Sequence, residues 1–357
     1  MDETTGTLYG PEELDLAARN HAMPLEALRY DLTPAGLHYL LIHYDIPDVD
    51  PAIWRLAVAG AVETPLSLSL EDLRARPRVS AAVTLECAGN GRTLMEPRAI
   101  SQPWALGAVG NAEWTGTPLA PILREAGMSP DAVDVAFAGS DHGLEGDIEQ
   151  DYERGLPAAE ALREDLLLAY EMNGQPLPPQ HGFPLRLVVP GWYGMAHVKW
   201  LRQIRVLEEA FAGYQNVQSY RIRAAEDDPG RPIQRIQVRS LLLPPGHPTF
   251  QPRVRHADPG RIEVRGRAWS GSGAIVNVAF SADGGRTWID SELGPEPTPG
   301  AWRSWTAVWH AEPGEHELCC RATDASGATQ PMEPDWNVGG YTNNAIQRVP
   351  VVVAARR

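Results

Sequence analysis

The sequence predicts an α+β unit followed by an antiparallel β-sandwich, and three observations carry that prediction. Gly and Pro number 33 and 32 in 357 residues, which favours a fold rich in turns and strands over a helical bundle. Up to about residue 225, short helical and extended segments alternate without βαβ spacing or a Gly-x-Gly-x-x-Gly turn, which argues against a dinucleotide fold. Beyond residue 260 the chain becomes a run of short period-2 segments separated by turn residues, the spacing of a sandwich.

The elements follow in order. Residues 1 to about 50 read as a helical and irregular leader that ends where Pro47 and Pro51 stop any helix. IWRLAVAGAV is a strand, and LSLSLEDL opens a helix with Ser69 as N-cap and Asp72 three residues on. RVSAAVTLECAGNGR is a strand running into a Gly-rich turn. TPLAPILREAG reads as a capped helix, DAVDVAFAG as a buried strand, LLLAYEM as extended and PLRLVVPG as another apolar strand. AEDDPGRPI has the charge, Pro and Gly content of a domain boundary. RIEVRGRAW, IVNVAFSADGGRTWIDSEL, AWRSWTAVWHA and HELCCRATDAS then follow as sandwich strands, with Asp283-Gly284-Gly285 supplying a hairpin turn.

Composition narrows the function classes. With 43% hydrophobic and 22% charged residues the chain is an ordinary globular protein. Its net charge of −15 argues against nucleic acid or an anionic membrane as partner, so an anionic ligand must be captured by a local basic cluster. The N-terminal MDETTGTLYGPEEL has no basic run before an apolar stretch, and no 18-residue apolar segment exists, so a cytoplasmic location is expected unless a leader peptide has been removed. Cys319 and Cys320 alternate across a strand and read as bystanders.

Cys87 stands apart from them. A lone Cys is ordinarily a small core residue. Here it ends a strand at Ala88-Gly89-Asn90-Gly91, where glycines allow close approach and Arg92 follows, a setting suited to a thiolate on a soft metal. A second cluster lies in 181–199, where His181, Arg186, His197 and Lys199 interleave with apolar residues and suit a buried anion. His197 and Lys199, two apart, would share a face if extended.

VTLECAGNGR resembles the Cys-Ala-Gly-Asn motif of the sulfite oxidase family, molybdenum-cofactor oxidoreductases of which this would be a bacterial-type member without a haem domain. Further resemblances appear in family order as GAVGNAEWTGTPL, LLLAYEMNGQPLPPQHGFPLRLVVPGWYGMAHVKWL, GRAWSGSG with SADGGRTW, and DWNVGGYTNNAIQRV. The resemblance implies a sulfite-oxidase-type molybdopterin-binding domain at 1–235 and an immunoglobulin-like dimerisation sandwich at 236–357. It implies molybdenum held by Cys87, with molybdopterin contacted by His43, Asp141, His181, Arg186, His197, Val198 and Lys199. Arg92, Tyr220 and Trp104 match the substrate pocket, where Arg and Tyr would orient an oxyanion and relay a proton while Trp excludes solvent. The expected function is two-electron oxygen-atom transfer to or from a small oxyanion or sulfur compound.

A homodimer is expected, with some of Trp269, Trp288, Trp302, Trp305 and Trp309 facing the partner. No Cys-x-x-Cys-His or iron–sulfur run is present, so a separate molecule should accept or donate the electrons. Two other readings stand open: a reductase of a sulfoxide or nitrate on the same centre, and a non-catalytic adhesion or scaffold protein built on the sandwich. Whether the pterin carries a nucleotide is also open. The chain departs from sulfite-oxidising members at two places, where Leu41 and Gly339 stand for expected arginines. Sulfite is therefore expected to be a poor substrate unless Arg223 or Arg348 reaches in instead.

Overall fold

A computed structural model describes residues 9–354 of the chain. The first eight residues of the expected 1–235 range and the last three of the expected 236–357 range lie outside the described residues. Among the described residues the longest helix is Pro11–Arg19, and no helix is long and apolar enough to cross a membrane.

Two five-stranded sheets build the part before residue 210. In one, Leu66–Leu68, Leu56–Gly60, Leu201–Leu207, Asp134–Glu145 and Ile148–Pro157 are neighbours in that order. Leu56–Gly60 and Leu201–Leu207 run parallel, so strands far apart in sequence meet at its centre. The other sheet orders Val79–Glu86, Val109–Pro118, Leu167–Met172 and Gln175–Pro176, with Arg186–Val188 also on Leu167–Met172. Side chains of both sheets close one core: Leu56, Val58, Phe137 and Ile204 from the first and Leu168 and Leu187 from the second. Each is fully buried, worth about 1.5–3 kcal/mol per side chain. The opposite face of the second sheet, through Val83, Leu85, Ala112 and Trp114, packs under Tyr39, Cys87 and Trp104.

The later strands form two facing antiparallel-rich sheets. Arg239–Leu242, Gly260–Trp269, Arg303–Ala311 and Glu292–Leu293 make the first. His247–Pro248, Arg255–Ala257, Gln347–Val353, Gly314–Asp324, Ile275–Ser281 and Ile289–Asp290 make the second. Val264, Trp305, Phe280, Leu318, Cys320 and Val351 meet between them. Leu318, Cys320 and Ala322 do share the inward face, and Cys319 is buried as well.

Several local expectations hold and others need correcting. Ser69 accepts from Asp72 N while the Asp72 carboxylate accepts from Ser69 N, a complete capping box on Leu70–Arg74. The helix Leu119–Glu125 lacks a side-chain cap, because Pro118 occupies that position. PLRLVVPG shrinks to a strand of three residues, and His197–Lys199 is irregular chain, so strand alternation does not direct that pair, although both residues line one cavity. Gly284 and Gly285 have φ of 75° and 87°, as a tight turn requires.

Four of the five tryptophans expected to include partner-facing rings are buried within the chain, and Trp288 alone of the five stays partly exposed. Trp269, Trp302, Trp305 and Trp309 are all at most 5% exposed within this one chain. Trp305 and Trp309 fill the sandwich, whereas Trp269 and Trp302 pack with Met23, Leu28, Ala88 and Tyr220 between the two parts of the molecule. The rings outnumber one small core because a second apolar core joins the two parts.

Candidate active site at Cys87

Cys87 is placed by hydrogen bonds on both sides. Val79–Glu86 pairs with Val109–Pro118 in a register that sets Glu86 opposite Val109, and Cys87 N then donates to Ala108 O at 2.9 Å. Asn90 turns the chain back: its N donates to Cys87 O at 3.0 Å, its Oδ1 accepts from Ala108 N, and its Nδ2 donates to Glu86 Oε1. A Cβ on Gly89 would come within 2.8 Å of the Arg92 guanidinium carbon, so only glycine lets that side chain fold over the turn.

Glu86 is itself enclosed. Its carboxylate accepts from Arg239 Nη1 at 2.8 Å and Trp269 Nε1 at 2.7 Å, both supplied by the later strands. The Cys87 turn is thus held from both parts of the molecule.

Two cavities meet at this cysteine. They share Leu41, His43, Cys87 and Tyr220 in their walls. The inner one is also lined by His38, Asp141, His181, Arg186, His197 and Lys199, the outer by Arg92, Trp104, Glu145 and Tyr341.

The inner cavity is basic, buried and short of counter-charge. Arg186 donates to the carbonyls of His181 and His197 at 3.1 and 3.2 Å and lies 4.5 Å over the Trp114 ring, with no carboxylate partner among the described residues. Burial lowers its pKa to about 10. Lys199 donates to Leu41 O, and burial pulls its ammonium well down while Asp141 opposes the shift. Asp141 is raised by the same desolvation, and its Oδ1 has no partner. Burial depresses His38 to about 4 and His43 to about 3, and takes His181 far below its ordinary value. Such a set is recharged by a buried anion.

Individual predicted residues divide by what their polar atoms do. His43 Nε2 is 2.7 Å from the Tyr220 hydroxyl. His197 lines the cavity, yet Nδ1 accepts from Val189 N at 3.1 Å and Nε2 donates to Trp192 O at 3.0 Å, so both ring nitrogens are spent within the protein. The Val198 side chain lies in the main core, lining neither cavity, and its carbonyl accepts from Leu187 N. Arg92 donates from Nε to Gly339 O and from Nη1 to Gln102 O, and stacks 5.0 Å over Tyr341. Trp104 Nε1 finds no oxygen or nitrogen partner and lies beside the Cys87 thiol. Burial raises that thiol's pKa against the pull of Arg92 and Trp104.

Sequence reasoning missed His38, Glu145 and Tyr341. His38 shows a signal in retrospect, since His-Tyr recurs at 38–39 and 43–44 and both histidines reach the same cavity. Tyr341 meets Arg92 only through the fold. Neither Arg223 nor Arg348 lines either cavity: Arg223 bonds Gln218 O, and Arg348 pairs with Glu317 and Glu333.

Three positive-φ residues border the site. Trp200, Tyr220 and Thr342 have φ of 48°, 47° and 56°, and Thr342 N donates to Ala88 O. Non-glycine residues held in this conformation cluster where surrounding contacts over-determine the backbone.

Among the described residues no group of three or more His, Cys, Asp or Glu is gathered for a metal. A metal on Cys87 would therefore take its other ligands from a bound group, and the unpartnered Asp141 Oδ1, Arg186 Nε and His38 Nε2 in the adjoining cavity fit a polar, anionic one.

A lone cysteine beside a basic, buried cavity suits a molybdopterin-binding oxidoreductase, and comparison with known proteins shows that class. Residues 43–215 match the oxidoreductase molybdopterin binding domain and 230–354 the Mo-co oxidoreductase dimerisation domain. Sulfite oxidase of Gallus gallus is 38% identical over 334 residues, covering 89% of this chain and 72% of that protein. Mitochondrial sulfite oxidase of Rattus norvegicus is 37% identical over 345 residues, covering 90% of this chain, and the chain spans 62% of that relative's length. The crystal structure of the sulfane dehydrogenase SoxCD from Paracoccus pantotrophus superposes with a TM-score of 0.80 at 26% identity, covering 100% of this chain and 95% of that one. The chain belongs to the sulfite oxidase family of molybdenum-cofactor oxidoreductases.

Proposed function

We propose that this chain catalyses two-electron oxygen-atom transfer to or from a small sulfur compound, with Cys87 as the protein's ligand to molybdenum. The observation that carries this reading is that Cys87 lies where two cavities join, one rich in buried basic side chains and the other open to Arg92, Tyr220 and Trp104. Bound there, the cofactor supplies the redox chemistry, exchanging two electrons and an oxygen.

The chain's own residues do the rest. Arg186, Lys199, His181 and His43 hold the pterin and its phosphate, and Asp141 accepts from the pterin's donors. His197 and Val198 act through the backbone geometry they fix around Arg186 and Leu187. Arg92, oriented by Gly339 O and Gln102 O, directs its remaining donor toward a substrate oxygen. The Tyr220 hydroxyl, 2.7 Å from His43 Nε2, holds a proton at the reacting face. Trp104 is 3% exposed and keeps water from the thiolate.

Arg92 is the one guanidinium or ammonium in the outer wall, so a neutral or larger sulfur compound suits the pocket better than sulfite. The chain divides at 235/236 into a catalytic unit and an immunoglobulin-like sandwich. The match of 230–354 to a dimerisation domain supports a homodimer, and a separate molecule exchanges the electrons. Molybdenum content and the form of the pterin released on denaturation, with turnover measured using dye acceptors and donors, test the reading. Protein that takes up no molybdenum under cofactor-sufficient expression would leave the scaffold alternative.

A further inference from the structure

We propose that the outer cavity selects an organic sulfur compound carrying a positive charge, and that Glu145 is the residue that recognises it. This rests on reading Cys87 as the reacting centre.

The outer cavity, about 260 Å³, is of a size for a small organic molecule. Its charged wall groups are Arg92 and Glu145, one of each sign. The remainder mixes apolar and aromatic side chains, Leu16, Leu41, Leu144, Trp104, Tyr220 and Tyr341, with polar Ser101, Gln102 and Ser219. Arg92, held by two carbonyls and the Tyr341 ring, keeps Nη2 for the oxygen at the reacting sulfur, whereas Glu145 has no cationic partner among the described residues and is left for a charge elsewhere on the substrate. Glu145 ends the strand Asp134–Glu145, and its Oε2 accepts from Gln215 Nε2 at 2.7 Å and the Tyr44 hydroxyl at 3.3 Å. Those two donors aim a carboxylate at the cavity without neutralising it.

Where an arginine could have stood, the fold places a ring. A Cβ on Gly339 would lie 2.4 Å from Tyr341 Cε2, so Tyr341 fills the space a side chain at 339 would enter. A dianion entering this cavity meets one guanidinium and one opposing carboxylate. A thioether or sulfoxide with an ammonium group meets leucine and aromatic side chains around its carbon body and Glu145 for its charge. The overall reaction balances as thioether plus water giving sulfoxide, two protons and two electrons. The electrons pass to an added acceptor dye, or return from a reduced dye in the opposite direction.

Binding to the cofactor-loaded protein tests the proposal without turnover. Calorimetric titration compares protonated 2-(methylthio)ethylamine, neutral 2-(methylthio)ethanol and anionic 3-(methylthio)propionate. The amine should bind at least about tenfold more tightly than the alcohol and the acid most weakly, as expected for one charge-assisted hydrogen bond. Glu145→Gln should bring the amine-to-alcohol ratio close to one. Equal binding of amine and alcohol by the unaltered protein, tightest binding of the acid, or a ratio that survives Glu145→Gln overturns the proposal. The ranking by unaltered protein decides the matter if the variant fails to fold. Failure of the oxidoreductase reading has a different signature: absence of molybdenum, or turnover that is indifferent to loss of Cys87.

Discussion

Arg239 and Glu86 form a buried ion pair at 2.8 Å, each at most 2% exposed at its side chain, between residues 153 apart in sequence. Glu86 is the residue before Cys87, and Arg239 belongs to the later strands. Loss of one partner leaves a buried charge, typically costing about 3–5 kcal/mol, whereas replacing both costs much less. Arg239→Met is expected to lower unfolding stability by that order and Glu86→Gln/Arg239→Met to recover a large part of it. Urea denaturation of the double-mutant cycle checks this, and additive losses would show that the pair acts as two independent residues.

Cys87→Ser should abolish molybdenum ligation and reduce turnover by orders of magnitude while preserving the fold. The hydroxyl nearly matches the thiol in volume but is a hard donor on a soft metal. Metal analysis, circular dichroism and dye-linked turnover on one preparation are the measurements. Full molybdenum occupancy with retained turnover removes Cys87 from the metal.

Arg186→Ala and Lys199→Ala should lose cofactor more readily than they alter its spectrum. Each forfeits charge-assisted hydrogen bonds worth roughly 1.5–3 kcal/mol, about a ten- to hundredfold loss in retention. Molybdenum remaining after extended dialysis measures it. Unchanged retention would make these two cations structural.

Cofactor-free protein should lose stability as pH falls below about 6.5, the ordinary value for histidine. His38 and His197 are depressed to about 4 and about 3, so the unfolded chain binds more protons than the folded one across that window. Their contribution is complete above the unfolded pKa and is lost on acidification, by up to about 1.4 kcal/mol per pH unit for each group. Asp141, raised by burial, works in the opposite sense. Unfolding free energies from pH 7.5 to 5.0 in an Asp141→Asn background should fall steeply, and His197→Gln should flatten the slope. A flat profile in the parent background variant would mean that these histidines are charged in the fold.

Sulfite should show a high KM in dye-linked oxidation. Leu41→Arg adds a cation to the cavity wall and should lower that KM about tenfold or more. Gly339→Arg should not help by itself, because its Cβ would meet the Tyr341 ring at 2.4 Å. A low KM for sulfite in the unaltered protein would sink the substrate reading.

The sequence by itself determined the local elements and singled out Cys87 as the residue about which the proposed chemistry is organised. The Ser69 capping box, the strand that runs up to Cys87 and the inward row of Leu318, Cys320 and Ala322 are set by side-chain period and short-range hydrogen bonding, which read directly from neighbouring residues. The basic cluster at 181–199 was legible because its members are close in sequence, although only the fold shows that His197 spends both nitrogens internally and that Val198 faces the core. What tertiary structure alone decided are the encounters between distant residues. Glu86 with Arg239, Arg92 with Tyr341, and the Trp269 and Trp302 rings against Met23 and Leu28 depend on how two cores pack together. No periodicity records such pairs, because the free energy that selects them is burial of apolar surface, which has no direction along the chain.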